Sequence, residues 1–216
     1  MAVAVVICGM IIAFLIYIGR RPIKPKMVMA VIGSGGHTAE MLTLVKSLTD
    51  STDTTKLNIG ETMIEEIIFV ASNSDQLSLQ KLHEQYPQLG DPQRQQPPFT
   101  YRLLTITRSR SVHQSYFTSV FTTLVSLLDS FKLIFSLRPQ MLLCNGPGVC
   151  IPLVFAARLL SPNSLVIFVE SFCRTQTLSL SGKIIYHLRL ADHFLVQWPK
   201  LVEQYDRASY LGGTLV

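Results

Sequence analysis

A glycine-rich turn carries the clearest chemical signal in the chain. Gly33-Ser34-Gly35-Gly36-His37-Thr38 follows an apolar run at 27–32 and precedes an amphipathic stretch. Backbone amides of glycine can approach an oxyanion closely, and the first turn of a helix favours negative charge. The turn therefore predicts a phosphate or diphosphate site. A tight strand-to-helix turn capped by Thr38 is the alternative.

The residues of this turn do not match two common nucleotide-binding motifs. No Gly-Lys-Ser/Thr follows the glycines, as a P-loop requires. Thr38 stands where the dinucleotide fingerprint needs its last glycine, and the next apolar run ends in Ala71-Ser72-Asn73, without an acid for a ribose. These departures argue against an NAD-dependent dehydrogenase. His37, at the start of the helix, could donate to a phosphate, act as a base or simply cap and pack.

Two further turns follow apolar runs and present polar groups. Asn145-Gly146-Pro147-Gly148 follows 141–144 and offers a backbone-rich edge to a substrate, with a purely structural turn as the alternative. Glu170-Ser171 follows 165–169, where an acid is well placed to bind a sugar hydroxyl or to act as a general base. Alternatively, Glu170 pairs with Arg174 and only orders its loop. Since the carboxyl ends of parallel strands meet at one edge of a sheet, all these turns are expected at one site.

Arg108 and Arg110 follow another apolar run and are expected at the same edge. Two guanidinium groups near a membrane could bind a diphosphate or lipid headgroups. A solvated loop is the alternative.

Short apolar runs alternate with helical stretches along the chain, which favours an α/β fold with a parallel sheet covered on both faces. The predicted strands are 27–32, 66–71, 101–106, 141–144, 165–169 and 194–197. The predicted helices are 38–48, 76–85, 112–137, 150–160, 182–190 and 201–205. The intervals 50–63 and 87–98 are predicted as loops.

The N-terminus predicts a membrane anchor. An apolar run at 1–18 precedes Arg20, Arg21, Lys24 and Lys26, whereas a cleaved signal carries its positive charges before the apolar run. The positive-inside rule keeps the basic end in the cytosol. We therefore expect a transmembrane anchor at 1–19, a basic collar at 20–26 and one cytosolic domain at 27–216. A helix that dips into the membrane without crossing it is the alternative.

Length, charge and cysteine content limit which classes of protein this chain can belong to. A chain of 216 residues is too short for two doubly wound nucleotide-binding domains. The formal net charge is +5, and four positive charges lie in the collar, so no nucleic-acid partner is predicted. The four cysteines, Cys8, Cys144, Cys150 and Cys173, show no metal-ligand spacing, which predicts buried, reduced thiols and no metal site.

Six segments, in their order along the chain, together resemble one family. They are 33–38, 108–110, 144–148, 169–171, 197–199 and 210–212. The chain resembles the membrane-anchor subunit of the endoplasmic-reticulum UDP-N-acetylglucosamine transferase. That enzyme adds the second sugar to the dolichol-linked precursor of N-glycans.

The resemblance implies a Rossmann-like domain, the N-terminal half of a GT-B glycosyltransferase. It implies that this half binds GlcNAc-diphosphodolichol, and that a soluble catalytic subunit binds UDP-GlcNAc at the cytosolic face of the endoplasmic reticulum membrane. It implies no cofactor and no activity of this chain alone. The alternative is a pure membrane scaffold without catalytic residues.

Residue roles follow from the residues above and from the inverting transfer that the resemblance implies, which needs a base to take the proton of the acceptor hydroxyl. His37 and Glu170 are the candidate bases, with His37 preferred. The substrate loop is expected to include Ser171 as well as 145–148. The expected ligands of the acceptor diphosphate are Gly33, Ser34, Gly35, Gly36, Thr38, Arg108 and Arg110. The expected docking residues for the catalytic subunit are Tyr210, Leu211, Leu215 and Val216.

Overall fold

The computed structural model describes residues 27–50, 57–59, 62–89, 100–107 and 116–210. Within these ranges, no helix is long and apolar enough to cross a membrane. The predicted anchor (1–19) and collar (20–26) lie outside the described residues. So do Arg108, Arg110, Leu211, Leu215 and Val216. What the sequence predicts for these residues stays a prediction.

Strands and helices alternate through most of the described chain. The strands are β1 (Met27–Val31), β2 (Leu57–Ile59), β3 (Thr62–Ile64), β4 (Glu66–Ser72), β5 (Thr100–Ile106), β6 (Met141–Cys144), β7 (Leu165–Val169), β8 (His193–Val196) and β9 (Ala208–Tyr210). The helices are α1 (Gly36–Asp50), α2 (Gln76–Gln85), α3 (Tyr116–Leu137), α4 (Cys150–Leu160), α5 (Leu180–His187) and α6 (Pro199–Gln204).

Parallel strands form a seven-stranded central sheet, in the order β5-β4-β1-β6-β7-β8-β9. The chain first builds outward from β1 through β4 to β5. It then returns to the other side of β1 with β6 and continues to β9. The strand order therefore reverses between β1 and β6. In doubly wound sheets this reversal opens a crevice beyond the carboxyl ends of the two strands, where ligands bind.

Each face of the sheet is covered by its own helices, because β1 is apolar on both sides. Met29 packs in the layer that contains Ile134 of α3. Val28 packs in the layer that contains Met41 of α1. All four side chains are buried. Successive residues of a strand point to opposite faces, so a strand buried on both faces needs a helix layer on each.

The predicted α/β fold with a parallel sheet is confirmed, with two differences among the strands. The interval 50–63, predicted as a loop, contains β2 and all but the last residue of β3, which pair antiparallel. The last strand of the sheet, β9, is absent from the prediction. It has three residues, of which only Ala208 is buried, and so it shows no apolar run. Tyr210, a predicted docking residue, ends this strand.

Three helices begin two residues earlier than predicted. α1 begins at 36 rather than 38, α5 at 180 rather than 182, and α6 at 199 rather than 201. Ser179 caps α5, since its hydroxyl oxygen accepts the N–H of Gly182 at 2.9 Å. Pro199 occupies the first position of α6, where its missing N–H has no partner to lose.

Candidate functional site

The loops after β1 and β6 touch each other at the crevice where the strand order reverses. A Cβ atom on Gly33 would lie 2.6 Å from Cβ of Pro147, closer than side chains approach one another. Gly35 has a φ of +67°, a left-handed conformation that favours glycine. The turn therefore needs glycine at 33 for space and at 35 for backbone conformation.

Thr38 holds this turn from within the protein. Its side chain is buried, and its hydroxyl donates to the carbonyl of Gly33. The same hydroxyl lies 2.7 Å from Oγ of Ser78, which attaches the turn to α2. The Thr38 hydroxyl is thus used inside the fold, whereas residues 34–36 are exposed. The backbone at the start of α1 is the part of the turn that is open to an anion.

His37 extends from the first turn of α1 over the loop after β6. Nδ2 of Asn145 donates to the carbonyl of His37 at 2.7 Å. A Cβ atom on Gly146 would lie 3.1 Å from Cε1 of His37, so the imidazole packs directly on the glycine backbone. The His37 side chain is 31% exposed. The loop therefore holds the imidazole while part of the ring stays open to the crevice.

Glu40 belongs to this site, and sequence analysis did not identify it. It lies three residues after His37, on the same face of α1. Its Oε1 accepts the Ser171 hydroxyl at 2.8 Å and the Phe172 N–H at 3.3 Å. Its Oε2 lies 3.8 Å from Nδ1 of His37, a distance longer than a hydrogen bond. The i, i+3 spacing of His37 and Glu40 was the available signal.

Glu40 is buried but ionised. Burial raises the pKa of its carboxyl group, but the neighbouring His37, the Ser171 hydroxyl and the Phe172 amide outweigh burial. They hold the pKa of Glu40 below its ordinary value. The side chain therefore carries a negative charge at neutral pH.

Glu170 lies behind the crevice and is wholly buried. Its Oε2 accepts the N–H and the hydroxyl of Ser179 at 2.9 and 3.1 Å, and its Oε1 accepts the Ser171 N–H at 3.1 Å. Burial raises the pKa of Glu170, and these hydrogen bonds limit the rise. Glu170 thus orders the loop after β7 mainly through Ser179, and the charge of the exposed Arg174 has a smaller effect that lowers the pKa of Glu170. Of the two candidate bases, His37 is the one that opens to the crevice.

The predicted substrate loop is only partly accessible. Asn145 and Ser171 are buried, and each supports a residue of α1 through the bonds described above. Pro147 is half-buried and Gly148 is exposed. The open part of this loop is therefore its turn rather than its polar side chains.

Two other predicted regions lie further along the sheet. Thr107, the described residue that precedes Arg108, is held by Asp129, whose Oδ2 accepts its N–H at 3.2 Å and its hydroxyl at 2.5 Å. This position is two strands away from β1 at the carboxyl edge. Tyr210 lies on the edge strand β9, three strands beyond β6, and is 38% exposed. Tyr210 is therefore remote from the crevice.

The structure also shows where three of the cysteines lie and whether the described side chains could form a metal site. Cys144 and Cys150 are buried free thiols, as predicted, whereas the prediction that Cys173 is buried is wrong, because its loop after β7 is exposed. In the part of the chain that the structure describes, no group of three His, Cys, Asp or Glu side chains could hold a metal ion.

Comparison with known proteins identifies the family. The family described as "Oligosaccharide biosynthesis protein Alg14 like" matches residues 28–214. The chain belongs to this Alg14-like family. The UDP-N-acetylglucosamine transferase subunit ALG14 of Rattus norvegicus is 40% identical over 199 residues, which cover 89% of this chain and 86% of that protein. The subunit of the same name from Homo sapiens is 38% identical, over 88% of this chain and 84% of that protein. The one from Schizosaccharomyces pombe is 36% identical, over 92% of this chain and 91% of that protein.

Solved structures share the fold of this Alg14-like chain. MurG of Acinetobacter baumannii matches 81% of the chain with a TM-score of 0.55 at 18% identity. A UDP-N-acetylglucosamine 2-epimerase matches 86% of it with a TM-score of 0.52 at 15% identity. The matches span 42% and 45% of those two proteins, so the chain corresponds to less than half of each. The chain therefore shares an α/β fold with a parallel sheet with part of each of these two proteins.

Replacing Gly33 by alanine is expected to destabilise the domain, because the new methyl group would collide with Pro147. We expect the free energy of unfolding to fall by about 1–3 kcal/mol, the usual cost of overpacking. Gly36→Ala is the matched control, since nothing lies within 4 Å of a Cβ atom at that helical position. Denaturant unfolding of both variants measures the difference. Equal stability of the two would contradict the close contact between the loops.

The two buried glutamates are expected to change stability with pH in opposite directions. The folded-state pKa of Glu40 is lowered, so its contribution is present above the unfolded pKa of about 4 and is lost as pH falls through the folded pKa. The folded-state pKa of Glu170 is raised, so its contribution is present at low pH and is lost as pH rises through the folded pKa.

Thermal unfolding from about pH 3 to about pH 7 measures these contributions. Glu40→Gln should reduce the loss of Tm on acidification, and Glu170→Gln should reduce the loss of Tm as pH rises. Parallel Tm profiles for the wild type and both variants would contradict the opposite pKa shifts of the two glutamates.

Proposed function

We propose that this chain is the membrane-anchoring, acceptor-binding subunit of a UDP-N-acetylglucosamine transferase. The enzyme would add the second GlcNAc to GlcNAc-diphosphodolichol in N-glycan precursor synthesis. Family membership and the names of the relatives support the proposal. The observation in this chain that carries it is the exposed start of α1 beside His37, at the crevice where doubly wound sheets bind ligands.

The acceptor diphosphate is proposed to lie on the start of α1. Its negative charge suits the exposed backbone at 34–36 and the positive end of the helix dipole. Arg108 and Arg110, which lie outside the described residues, follow β5 in the sequence and are proposed to balance the remaining charge.

His37 is proposed to be the general base. The 4-hydroxyl oxygen of the acceptor sugar attacks the anomeric carbon of UDP-GlcNAc and forms the new glycosidic bond. The bond from that carbon to UDP breaks on the opposite side, so the configuration inverts and UDP leaves with the electron pair. The proton of the hydroxyl passes to His37. Proton transfer to a positioned side chain contributes about 10²- to 10⁴-fold to the rate.

A second protein is proposed to supply the donor site. This chain holds one doubly wound sheet and matches less than half of the length of MurG. We propose that it is the N-terminal half of a GT-B enzyme, and that a soluble catalytic subunit binding UDP-GlcNAc is the other half. The docking segment would begin at the exposed Tyr210 and include Leu211, Leu215 and Val216.

The N-terminal segment is proposed to hold this domain at the cytosolic face of the endoplasmic reticulum membrane. The apolar run at 1–18 would enter the bilayer, and the basic collar at 20–26 would remain on the cytosolic side. Because β1 follows the collar directly, the domain would lie against the membrane that carries the lipid-linked acceptor.

Substitution of His37 tests the catalytic part of the proposal. The full chain in membranes is combined with its soluble partner, and transfer of GlcNAc from UDP-GlcNAc to a GlcNAc-diphospholipid is measured. We expect transfer only when both proteins are present, and a loss of about 10²- to 10⁴-fold in His37→Ala. His83→Ala is the matched control, because His83 is exposed on α2 and its Nδ1 bonds the carbonyl of Leu79 on the same helix.

Near-normal transfer by His37→Ala in an intact complex would contradict the assignment of the base and favour a pure scaffold. Transfer by this chain alone would contradict the division of the enzyme into two proteins.

A further inference from the structure

The geometry points to Glu40 as the residue that positions His37 for catalysis. Its buried carboxylate would accept a hydrogen bond from Nδ1 of the imidazole, and would thereby leave Nε2 as the basic nitrogen. The inference rests on the proposed function, because it assumes that His37 takes the proton of the acceptor hydroxyl.

One oxygen of Glu40 is already held in place. Oε1 accepts the Ser171 hydroxyl at 2.8 Å and the Phe172 N–H at 3.3 Å, both from the loop after β7. That loop is itself ordered by Glu170, which accepts the Ser171 N–H. With Oε1 fixed by two donors, Oε2 is directed towards His37.

Two buried polar atoms face each other at this point. Among the described residues, neither Oε2 of Glu40 nor Nδ1 of His37 has a hydrogen-bond partner, and they lie 3.8 Å apart. Buried polar atoms without a partner are uncommon in folded proteins. A small movement of the imidazole would pair the two atoms. Catalytic hydrogen bonds are often long in the free enzyme and tighten when substrate binds.

Only one neutral tautomer of the His37 imidazole can form a hydrogen bond with Oε2 of Glu40. An ionised carboxylate can only accept, so Nδ1 must carry the hydrogen. The bond from Asn145 to the His37 carbonyl and the packing of the ring on Gly146 restrict how far the ring can turn away. Since Nδ1 is buried while 31% of the side chain is exposed, the open part of the ring lies away from Nδ1. Nε2 is then free to take a proton from a ligand in the crevice.

Glu170 cannot take this role as it stands, because both its oxygens already accept hydrogen bonds from Ser171 and Ser179. Glu40 would also act after proton transfer. The imidazolium formed at His37 would face a carboxylate that stays ionised and balances its charge, as an aspartate does in catalytic triads. Glu40 is thus a positioning residue that acts through His37.

Glu40→Gln tests the inference, because it keeps the shape of the side chain and removes its charge. In the full chain assembled with its partner, we expect kcat to fall by about 10- to 1,000-fold, while KM for the acceptor changes by less than about threefold. Glu84→Gln is the matched control, since Glu84 is an exposed carboxylate on α2 that bonds Gln80. It should leave kcat unchanged.

The double variant His37→Ala/Glu40→Gln separates positioning from a general structural effect. If Glu40 acts through His37, the double variant should be no slower than His37→Ala alone. A further loss equal to that of Glu40→Gln would overturn the inference. An unchanged kcat in Glu40→Gln would also overturn it.

The tautomer of His37 can be measured in the wild type, independently of activity and of any defect in a variant. Long-range proton–nitrogen NMR correlations of the histidine-labelled full chain at alkaline pH distinguish the two neutral forms, and His37→Ala assigns the signals. We expect the form protonated at Nδ1, and a shift towards the other form in Glu40→Gln. A wild-type imidazole protonated at Nε2 would overturn the inference, whereas the transfer activity of His37→Ala separately tests whether His37 is the base. Near-normal activity of His37→Ala would instead contradict the proposed role of His37 as the base, on which this inference rests.

Discussion

The loops after β1 and β6 lie so close together that no Cβ atom fits between Gly33 and Pro147. This contact determines where α1 starts, because the glycine turn leads directly into the helix. It therefore also determines where His37 and Glu40 lie. The second close contact, between the His37 ring and Gly146, depends on the first, since both loops must be at this separation for the ring to rest on the backbone. The positions of the site residues are therefore set by the packing of the backbone, and charge interactions act within that arrangement.

Two buried carboxylates that both accept hydrogen bonds from Ser171 then have different roles. Glu170 has hydrogen-bond donors on both oxygens and connects the loop after β7 to the start of α5. Glu40 has donors on one oxygen only, and its other oxygen is directed at a histidine. The different partners explain why the pKa of Glu170 is raised while that of Glu40 is lowered, although burial raises both. A carboxylate without a full set of donors is the one available for chemistry.

Much of this arrangement could be predicted from the sequence, because its signals are local. The glycines of the first turn, the apolar strands and the polar residues at strand ends all lie within short segments, and a parallel sheet brings strand ends together. Glu40 could not be recognised in the same way. A glutamate one turn into a helix normally faces solvent, and its burial here depends on Ser171, 131 residues further along the chain. The short strand β9 was not predicted either, because its formation depends on pairing with β8 rather than on its own three residues.

The position of the acceptor diphosphate is the central claim, and photocrosslinking tests it most directly. A GlcNAc-diphospholipid with a photoreactive group beside the diphosphate would be irradiated with the full chain assembled with its partner, and the labelled peptides would be identified by mass spectrometry. We expect label in the peptides that contain 33–38 and 145–148, and loss of that label when unmodified acceptor competes. Specific, competable label confined to other segments of the chain, or to the partner alone, would contradict an acceptor site at the start of α1.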